Sequence, residues 1–135
     1  SFIGFMFYNR FWFDKDLFAV TLGGGKINNP GRYLVLLPPI NGATAASGTP
    51  YFTETPGDPF KAWDASATFD YMPDQFVTFR FELDHRHASV PYFAGPGGVT
   101  PSGGNTGAPG STVAGWAPDL RQTENRINCA LLVKL

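Results

Sequence analysis

The sequence predicts an all-β fold, an antiparallel up-and-down sheet that forms part of a transmembrane barrel. Apolar and polar residues alternate along most of the chain, which is typical of strands whose two faces meet different surroundings. Short and very long connections alternate between these segments, as they do in outer-membrane barrels. Charged residues make up 16% of the 135 residues, and Phe, Trp and Tyr make up another 16%. Because the usual charged share is about 25%, the chain is poor in solubilising groups and rich in rings.

Five segments with period-2 alternation are predicted to be strands, and in chain order they are 2–13, 18–26, 60–72, 76–87 and 123–135. Helical spacing seldom lasts beyond one turn, and 16 Gly and 12 Pro interrupt the chain. The connections 14–17 and 73–75 are predicted to be tight turns. The connections 27–59 and 88–122 are loops of more than 30 residues, which would be unusual within a compact soluble domain.

Three of the predicted strands have one apolar and one polar face. In strand 76–87, Phe79, Phe81 and Leu83 alternate with Arg80, Glu82 and Asp84. The same pattern recurs in strand 60–72 and in strand 123–135, where Cys129 falls on the apolar side. This pattern fits a wall between lipid and a watery lumen, and it equally fits a β-sandwich whose apolar face turns inward.

Three features favour the barrel over the sandwich. The strands have the length that a membrane strand needs, roughly 9 to 11 residues, and rings lie near their ends. If the chain ends in the periplasm, both short turns are periplasmic and both long loops are extracellular. Five strands are too few for a closed barrel of about 8 or more, so the remaining strands, or other copies of the chain, are needed to close the sheet.

The alternation also predicts the parity of the two turns. For Asp70 and Arg80 to share a face, the second loop must contain an odd number of residues. A three-residue loop, Pro73 to Gln75, would place Met72 opposite Phe76. In the first hairpin the apolar residues have odd numbers on one strand and even numbers on the other. The loop between these strands must therefore contain an even number of residues.

The charged face is predicted to line a pore. Its members are Arg10, Asp64, Asp70, Arg80, Glu82, Asp84, Arg86, Glu124, Arg126 and Lys134. Five are basic and five are acidic, which predicts no strong preference for anions or cations. The same residues would also pair across strands as structural support.

Other candidate chemistries have weak support. The "GGGK" at 23–26 lacks the spacing of a phosphate-binding loop. His85 and His87 share a face, which suits a metal or, in our interpretation, a position near lipid headgroups. Asp14 and Asp16 suit a turn better than calcium. We predict no metal, no cofactor and no enzymatic activity, and the net charge of -1 gives no case for nucleic acid.

Four stretches carry a family resemblance: "NNPGRYLVLLPP" (28–39), "DASATFDYMPDQFVTFRFE" (64–82), "VPYFAGPGGVTP" (90–101) and "GWAPDLRQTENRINCALLVKL" (115–135). They resemble the C-terminal part of outer-membrane β-barrel porins of the OmpL-like family of Gram-negative bacteria. The resemblance implies that residues 1–135 belong to one barrel domain whose N-terminal strands and signal peptide are absent here. The chain departs from the pattern at Leu135, where such barrels commonly end in phenylalanine.

The sequence thus predicts a porin segment in the outer membrane, surrounded by lipid and passing small polar solutes by diffusion through a lumen of mixed charge. Tyr92, Phe93 and Trp116 at the ends of the second long loop are predicted to form a constriction, with 99–115 as a flexible span. Two alternatives stay open. One is a secreted β-sandwich that binds carbohydrate through Trp63, Tyr92 or Trp116; the other is a short subunit that assembles edge to edge into a multi-chain barrel or fibre.

Overall fold

The structure, a computed structural model, describes residues 2–30, 59–102 and 113–134, and it is an all-β protein. In chain order the strands are β1 (Ile3–Phe13), β2 (Phe18–Asn29), β3 (Phe60–Tyr71), β4 (Val77–Ala88), β5 (Phe93–Ala94), β6 (Leu120–Arg121) and β7 (Thr123–Val133). The prediction of an antiparallel all-β fold is confirmed. The predicted loop 27–59 and the stretch "NNPGRYLVLLPP" fall largely outside the described residues.

Five strands form one antiparallel sheet in the order β1-β2-β3-β4-β7, and β5 pairs with β6 in a separate two-stranded sheet. Each strand of the main sheet pairs with its neighbour along the chain, apart from the insertion of β5 and β6 between β4 and β7. Within the described residues the main sheet is open, with β1 and β7 at its edges. Because four antiparallel pairings separate them, these two edge strands run in the same direction.

The register gives the sheet two faces, because paired residues lie on the same face in all five strands. One row of paired positions is Arg10, Thr21, Thr68, Glu82 and Asn128. The row one residue away is Phe11, Val20, Phe69, Phe81 and Cys129. We call the face of the first row the charged face and the face of the second row the apolar face. The predicted distribution of apolar and polar residues between two faces is therefore confirmed for β3, β4 and β7. On β1 the charged face carries Met6, Tyr8 and Trp12 beside Arg10.

The first turn joins β1 to β2 with an even number of residues, as predicted. Phe13 pairs with Phe18, which leaves residues 14–17 in the loop. Asp14, Lys15 and Asp16 have φ angles of 50°, 54° and 69°, a left-handed conformation that Asp tolerates better than most residues. The Leu17 N–H closes the turn by donating to the Asp14 carbonyl at 3.1 Å.

The second turn has the predicted odd parity, but the predicted pairing of Met72 with Phe76 is wrong. Asp70 lies opposite Arg80, so the strands part after Tyr71. The reason is local: the Asp74 carboxylate accepts hydrogen bonds from the N–H groups of Phe76 and Val77 at 2.7 and 3.0 Å. These bonds commit both amides to the turn and delay the start of β4.

The strand boundaries differ from the sequence prediction by one to three residues at several strand ends. β2 continues to Asn29 instead of ending at residue 26, because its pairing with β3 extends to Phe60. β4 begins one residue late and β7 ends at Val133. Residues 93–94 and 120–121, predicted as loop, pair as β5 and β6.

The glycine run in β2 is explained by close packing. Gly23 lies opposite Tyr8, and a Cβ at this position would overlap the Tyr8 ring on the charged face. An aromatic ring that covers a glycine on the neighbouring strand is a known device for stabilising a sheet at such a position. The run therefore has a structural reason, in keeping with the rejection of a phosphate loop.

Burial is inverted relative to a soluble protein. The largest fully buried side chains are Asn29 and Asp70, and the buried hydrophobic residues of the described part are Ala19, Phe60, Ala88 and Val90. By contrast, the apolar face is exposed along its length; Phe79, for example, is 49% exposed. No helix in the described ranges is long and apolar enough to cross a membrane.

We predict that Gly23→Ala destabilises the sheet by about 1 to 3 kcal/mol, because the new methyl group must displace the Tyr8 ring. Chemical denaturation of the full-length protein measures this change. In a Tyr8→Ala background, Gly23→Ala should cost much less stability than it does in wild type. Equal losses with and without Tyr8 would contradict the packing explanation.

Candidate functional site

The charged face gathers nine of the ten residues predicted to line a pore, from four of the five strands. They are Arg10 on β1, Asp64 and Asp70 on β3, Arg80, Glu82, Asp84 and Arg86 on β4, and Glu124 and Arg126 on β7. Lys134, the tenth, lies one residue beyond β7, where its N–H donates to the Phe76 carbonyl at 2.8 Å. The charges of the face are thus concentrated on β3, β4 and β7, with Arg10 on β1.

Asp70 is the best-buried charge of this face. Its side chain is 1% exposed and accepts two hydrogen bonds from Arg80, from Nε at 2.7 Å and from Nη2 at 2.9 Å. Arg10 binds the same carboxylate from the other side at 2.7 Å, and the Arg10 guanidinium lies 5.5 Å from the centre of the Trp12 ring. Two arginines from two strands therefore hold one carboxylate of a third, which joins β1, β3 and β4 through side chains.

Glu82 and Asp84 bind neutral partners. Thr68 donates its hydroxyl to Glu82 at 2.7 Å. The Asn128 amide donates to Asp84 at 2.7 Å and to Glu82 at 3.2 Å. Among the described residues no arginine or lysine lies within ion-pair distance of either carboxylate.

A third cluster lies toward the end of the sheet where the long loops begin, which we call the loop end; the opposite end is the turn end. Arg126 donates to Glu124 at 2.9 Å, and Arg86 approaches the other oxygen of the same carboxylate at 3.5 Å. The second contact, to Arg86, is a charge attraction, because this oxygen of Glu124 accepts no hydrogen bond from the described residues.

The charges are consequently not paired one to one. Two arginines share Asp70 and two share Glu124, whereas Asp64, Glu82 and Asp84 have no ion pair within the described ranges. Glu82 and Asp84 lie between the Asp70 cluster near the turn end and the Glu124 cluster toward the loop end, and Arg126 lies opposite Asp84. A count of five basic and five acidic residues does not reveal this arrangement, which depends on the register.

An apolar cap covers the loop end of the charged face. Phe60, Ala88 and Val90 are buried together, and Tyr92 and Phe93 pack against them. The ring centres of Tyr92 and Phe60 are 5.3 Å apart, and those of Tyr92 and Phe93 are 5.5 Å apart. Since Phe60 and Ala88 have even numbers in β3 and β4, they lie on the charged face, so the cap folds over the polar side of the sheet.

The cap is held by Asp119 at the base of β6. Its carboxylate accepts a hydrogen bond from the Gly97 N–H at 3.0 Å and pairs with Arg121 at 2.6 Å. Its backbone bonds to both sides of the same turn, accepting from the Gly95 N–H at 2.7 Å and donating to the Gly98 carbonyl at 2.9 Å. A Cβ at Gly95 would overlap the Asp119 carboxylate, so the turn needs glycine there.

Two groups in the cap have shifted acidity. The Arg121 guanidinium and the Gly97 N–H lower the pKa of Asp119, because both stabilise the charged carboxylate. Burial raises the pKa of Tyr92, because the phenolate would lose its solvation.

Of the predicted constriction residues, Tyr92 and Phe93 are in contact and pack against the buried cluster around Phe60. Trp116 is partly buried, and its backbone N–H donates to the Val113 carbonyl at 3.2 Å. The predicted flexible span 99–115 falls largely outside the described residues.

The aromatic residues that suggested a carbohydrate platform are separated. Trp63 lies on the apolar face, with its ring 5.2 Å from that of His85 and 6.1 Å from that of His87, whereas Tyr92 lies on the charged side. In the part of the chain that the structure describes, no three His, Cys, Asp or Glu side chains form a group that would hold a metal ion. The sequence prediction missed Asp119 and Thr68, although an Asp beside a Gly-Pro-rich segment is a recognisable signal for a turn.

Comparisons with protein families, curated proteins and solved structures found no match to this chain.

We predict that Asp70→Asn destabilises the sheet by about 2 to 3 kcal/mol, because it removes a carboxylate that receives charged hydrogen bonds from two arginines. The measurement is chemical denaturation of the full-length protein. Asp64→Asn on the same strand is the matched control, with an expected change under about 0.5 kcal/mol, because Asp64 has no ion pair among the described residues. Similar losses in both variants would show that the charge cluster does not hold the strands.

We predict that Asp119→Asn loosens the cap at neutral pH and increases hydrogen exchange at the Gly97 amide. Since the folded carboxyl has a pKa below its usual 3.8, its contribution is present above the unfolded pKa and is lost as the pH falls through the folded value. The difference between wild type and variant should therefore narrow below pH 3.8. A difference that stays constant on acidification would contradict this role.

Proposed function

We propose that the chain is a segment of an outer-membrane β-barrel that lets small polar solutes diffuse through a lumen lined by the charged face. The observation that carries the proposal is the inverted burial of the sheet, with Asp70 buried and the apolar face exposed. A large exposed apolar surface marks contact with a partner or with a membrane. A polar surface behind it fits a barrel wall.

Strand dimensions support a membrane environment. The five strands of the main sheet have 11 or 12 residues, close to the roughly 9 to 11 that a tilted membrane strand needs. Aromatic rings on the apolar face lie near both strand ends. Phe18, Tyr71 and Phe79 stack at the turn end, with neighbouring ring centres 5.4 and 6.0 Å apart, and Trp63 lies at the loop end. This arrangement is typical of aromatic girdles at both interfaces.

The charged face supports passage of polar solutes. Its carboxylates and guanidinium groups bind one another or neutral side chains, which keeps most of them fixed. A rigid polar wall offers hydrogen bonds to water and solutes without a single strong site that would trap them. The carboxylates of Glu82 and Asp84, which form no ion pair among the described residues, would favour cations locally.

The cap supports a narrowed mouth. Tyr92 and Phe93 lie over the charged side of the sheet at the loop end, where they would project into the lumen of a closed barrel. The extracellular position of this end follows from the proposed orientation, with turns 14–17 and 72–76 in the periplasm.

Strand directions constrain how the barrel closes. Since β1 and β7 run in the same direction, an all-antiparallel barrel needs an odd number of additional strands. A ring of identical copies of these five strands would instead pair β1 with β7 in parallel. We therefore favour completion by further strands over edge-to-edge assembly of this sheet alone.

We predict that replacing Tyr92, Phe93 and Trp116 together by Ala raises single-channel conductance in planar bilayers, because the rings no longer narrow the mouth. The full-length protein is used, with heat-modifiable migration as the check on folding. Phe76→Ala at the turn end is the control, and its conductance should equal that of wild type.

A folded wild-type protein that gives no channels would contradict the porin function. Channels with unchanged conductance in the triple variant would contradict only the constriction.

A further inference from the structure

The apolar face carries an uneven distribution of charge. Four basic side chains lie on it in the described strands, Lys26, Lys61, His85 and His87, and all four lie near the loop end. No Asp or Glu of the described strands lies on this face, because each has an even number in β3, β4 or β7 and belongs to the charged face. The apolar face thus ends in a basic border with no counter-charge of its own.

The two lysines are near neighbours. Lys26 pairs with Trp63, and Lys61 pairs with Asn28, so Lys26 and Lys61 are diagonal neighbours on adjacent strands. Such positions have backbones about 7 to 8 Å apart. Two flexible lysine side chains at this separation can bring both ammonium groups to one anion. Both lysines are exposed, and neither forms an ion pair within the described ranges.

The histidines complete a polar border beside the lysines. His85 Nδ1 lies 2.6 Å from the Asn125 amide oxygen, and His87 Nδ1 lies 3.2 Å from the Thr123 hydroxyl. The Trp63 ring packs beside both imidazoles and is 42% exposed. An amphipathic ring beside polar side chains is typical of the level where acyl chains meet headgroups.

The border lies at a suitable height for headgroups. From Trp63 to the ring of Tyr71 is eight residues along β3, or about 27 Å along the strand. At a tilt of about 45°, this corresponds to roughly 20 Å across the membrane, comparable with the apolar band of a barrel. The lysines are therefore placed beside headgroups and not beside acyl chains.

We propose that Lys26 and Lys61, with Trp63 beside them as the anchor, bind the phosphate of an anionic lipid headgroup in the leaflet at the loop end. The inference rests on the proposed membrane orientation of the sheet. Charge complementarity identifies the occupant, because two ammonium groups that form no ion pair within the described ranges attract a phosphate, and the adjoining apolar face accepts its acyl chains.

The test uses the full-length protein in neutral detergent micelles to which phosphatidylglycerol or phosphatidylcholine is added. We expect phosphatidylglycerol to raise the temperature of heat-modifiable unfolding, with a smaller rise for phosphatidylcholine. Lys26→Gln and Lys61→Gln should each raise the half-effective concentration of phosphatidylglycerol about fivefold, since a lysine near an anionic surface contributes about a factor of this size. The double variant should lose most of the difference between the two lipids.

The matched control is Lys15→Gln, which removes one positive charge in the turn at the opposite end of the sheet and should keep the wild-type response. An equal effect of Lys15→Gln, or an unchanged response in the double variant, would overturn the site. A response to inorganic phosphate equal to that to phosphatidylglycerol would overturn the assignment to a lipid. Failure of wild type to fold in either lipid would count instead against the membrane sheet itself.

Discussion

Antiparallel pairing in a single register across five strands is the constraint on which the rest of this structure depends. Paired residues share a face, so one row of side chains cannot change sides unless its neighbours also change. The register gathers Phe69, Phe81 and their row on one face and Asp70, Arg80 and theirs on the other. Exposing the first face to water would cost about 25 cal/mol for each Å² of apolar surface. The fold therefore favours a partner surface or a medium that covers the apolar face.

On the charged face, a buried carboxylate ties the strands together. Asp70 is 1% exposed, and burial of a carboxylate is costly unless it is paired and hydrogen-bonded. Arg10 and Arg80 meet this need from two different strands, so the same contacts that solvate the charge also fix the register. The loop end is organised similarly, since Asp119 satisfies the Gly97 amide while it fixes the turn that carries the cap.

Period-2 alternation made much of the sheet predictable. It gave the strand type, the two faces and the parity of both turns, because each depends only on the order of apolar and polar residues along the chain. The exact pairing of Tyr71 with Phe79 was not predictable from alternation, since a shift by two residues leaves every side chain on its face. The Asp74 hydrogen bonds select between such registers. The uneven sharing of carboxylates by arginines, and the contact between Tyr92 and Phe60, likewise depend on register and on loop packing.

The most direct test of a sheet with lipid on one face and water on the other is spin-label accessibility along β4. Single nitroxides would be placed at Phe81, Leu83, Glu82 and Asp84 in a Cys129→Ala background of the full-length protein in lipid vesicles. Labels at Phe81 and Leu83 should collide with oxygen, which concentrates in the bilayer, and labels at Glu82 and Asp84 should collide with a water-soluble nickel chelate. Labels at Phe81 and Leu83 that are shielded from both reagents would show that a second protein layer covers the apolar face, which would contradict the membrane wall.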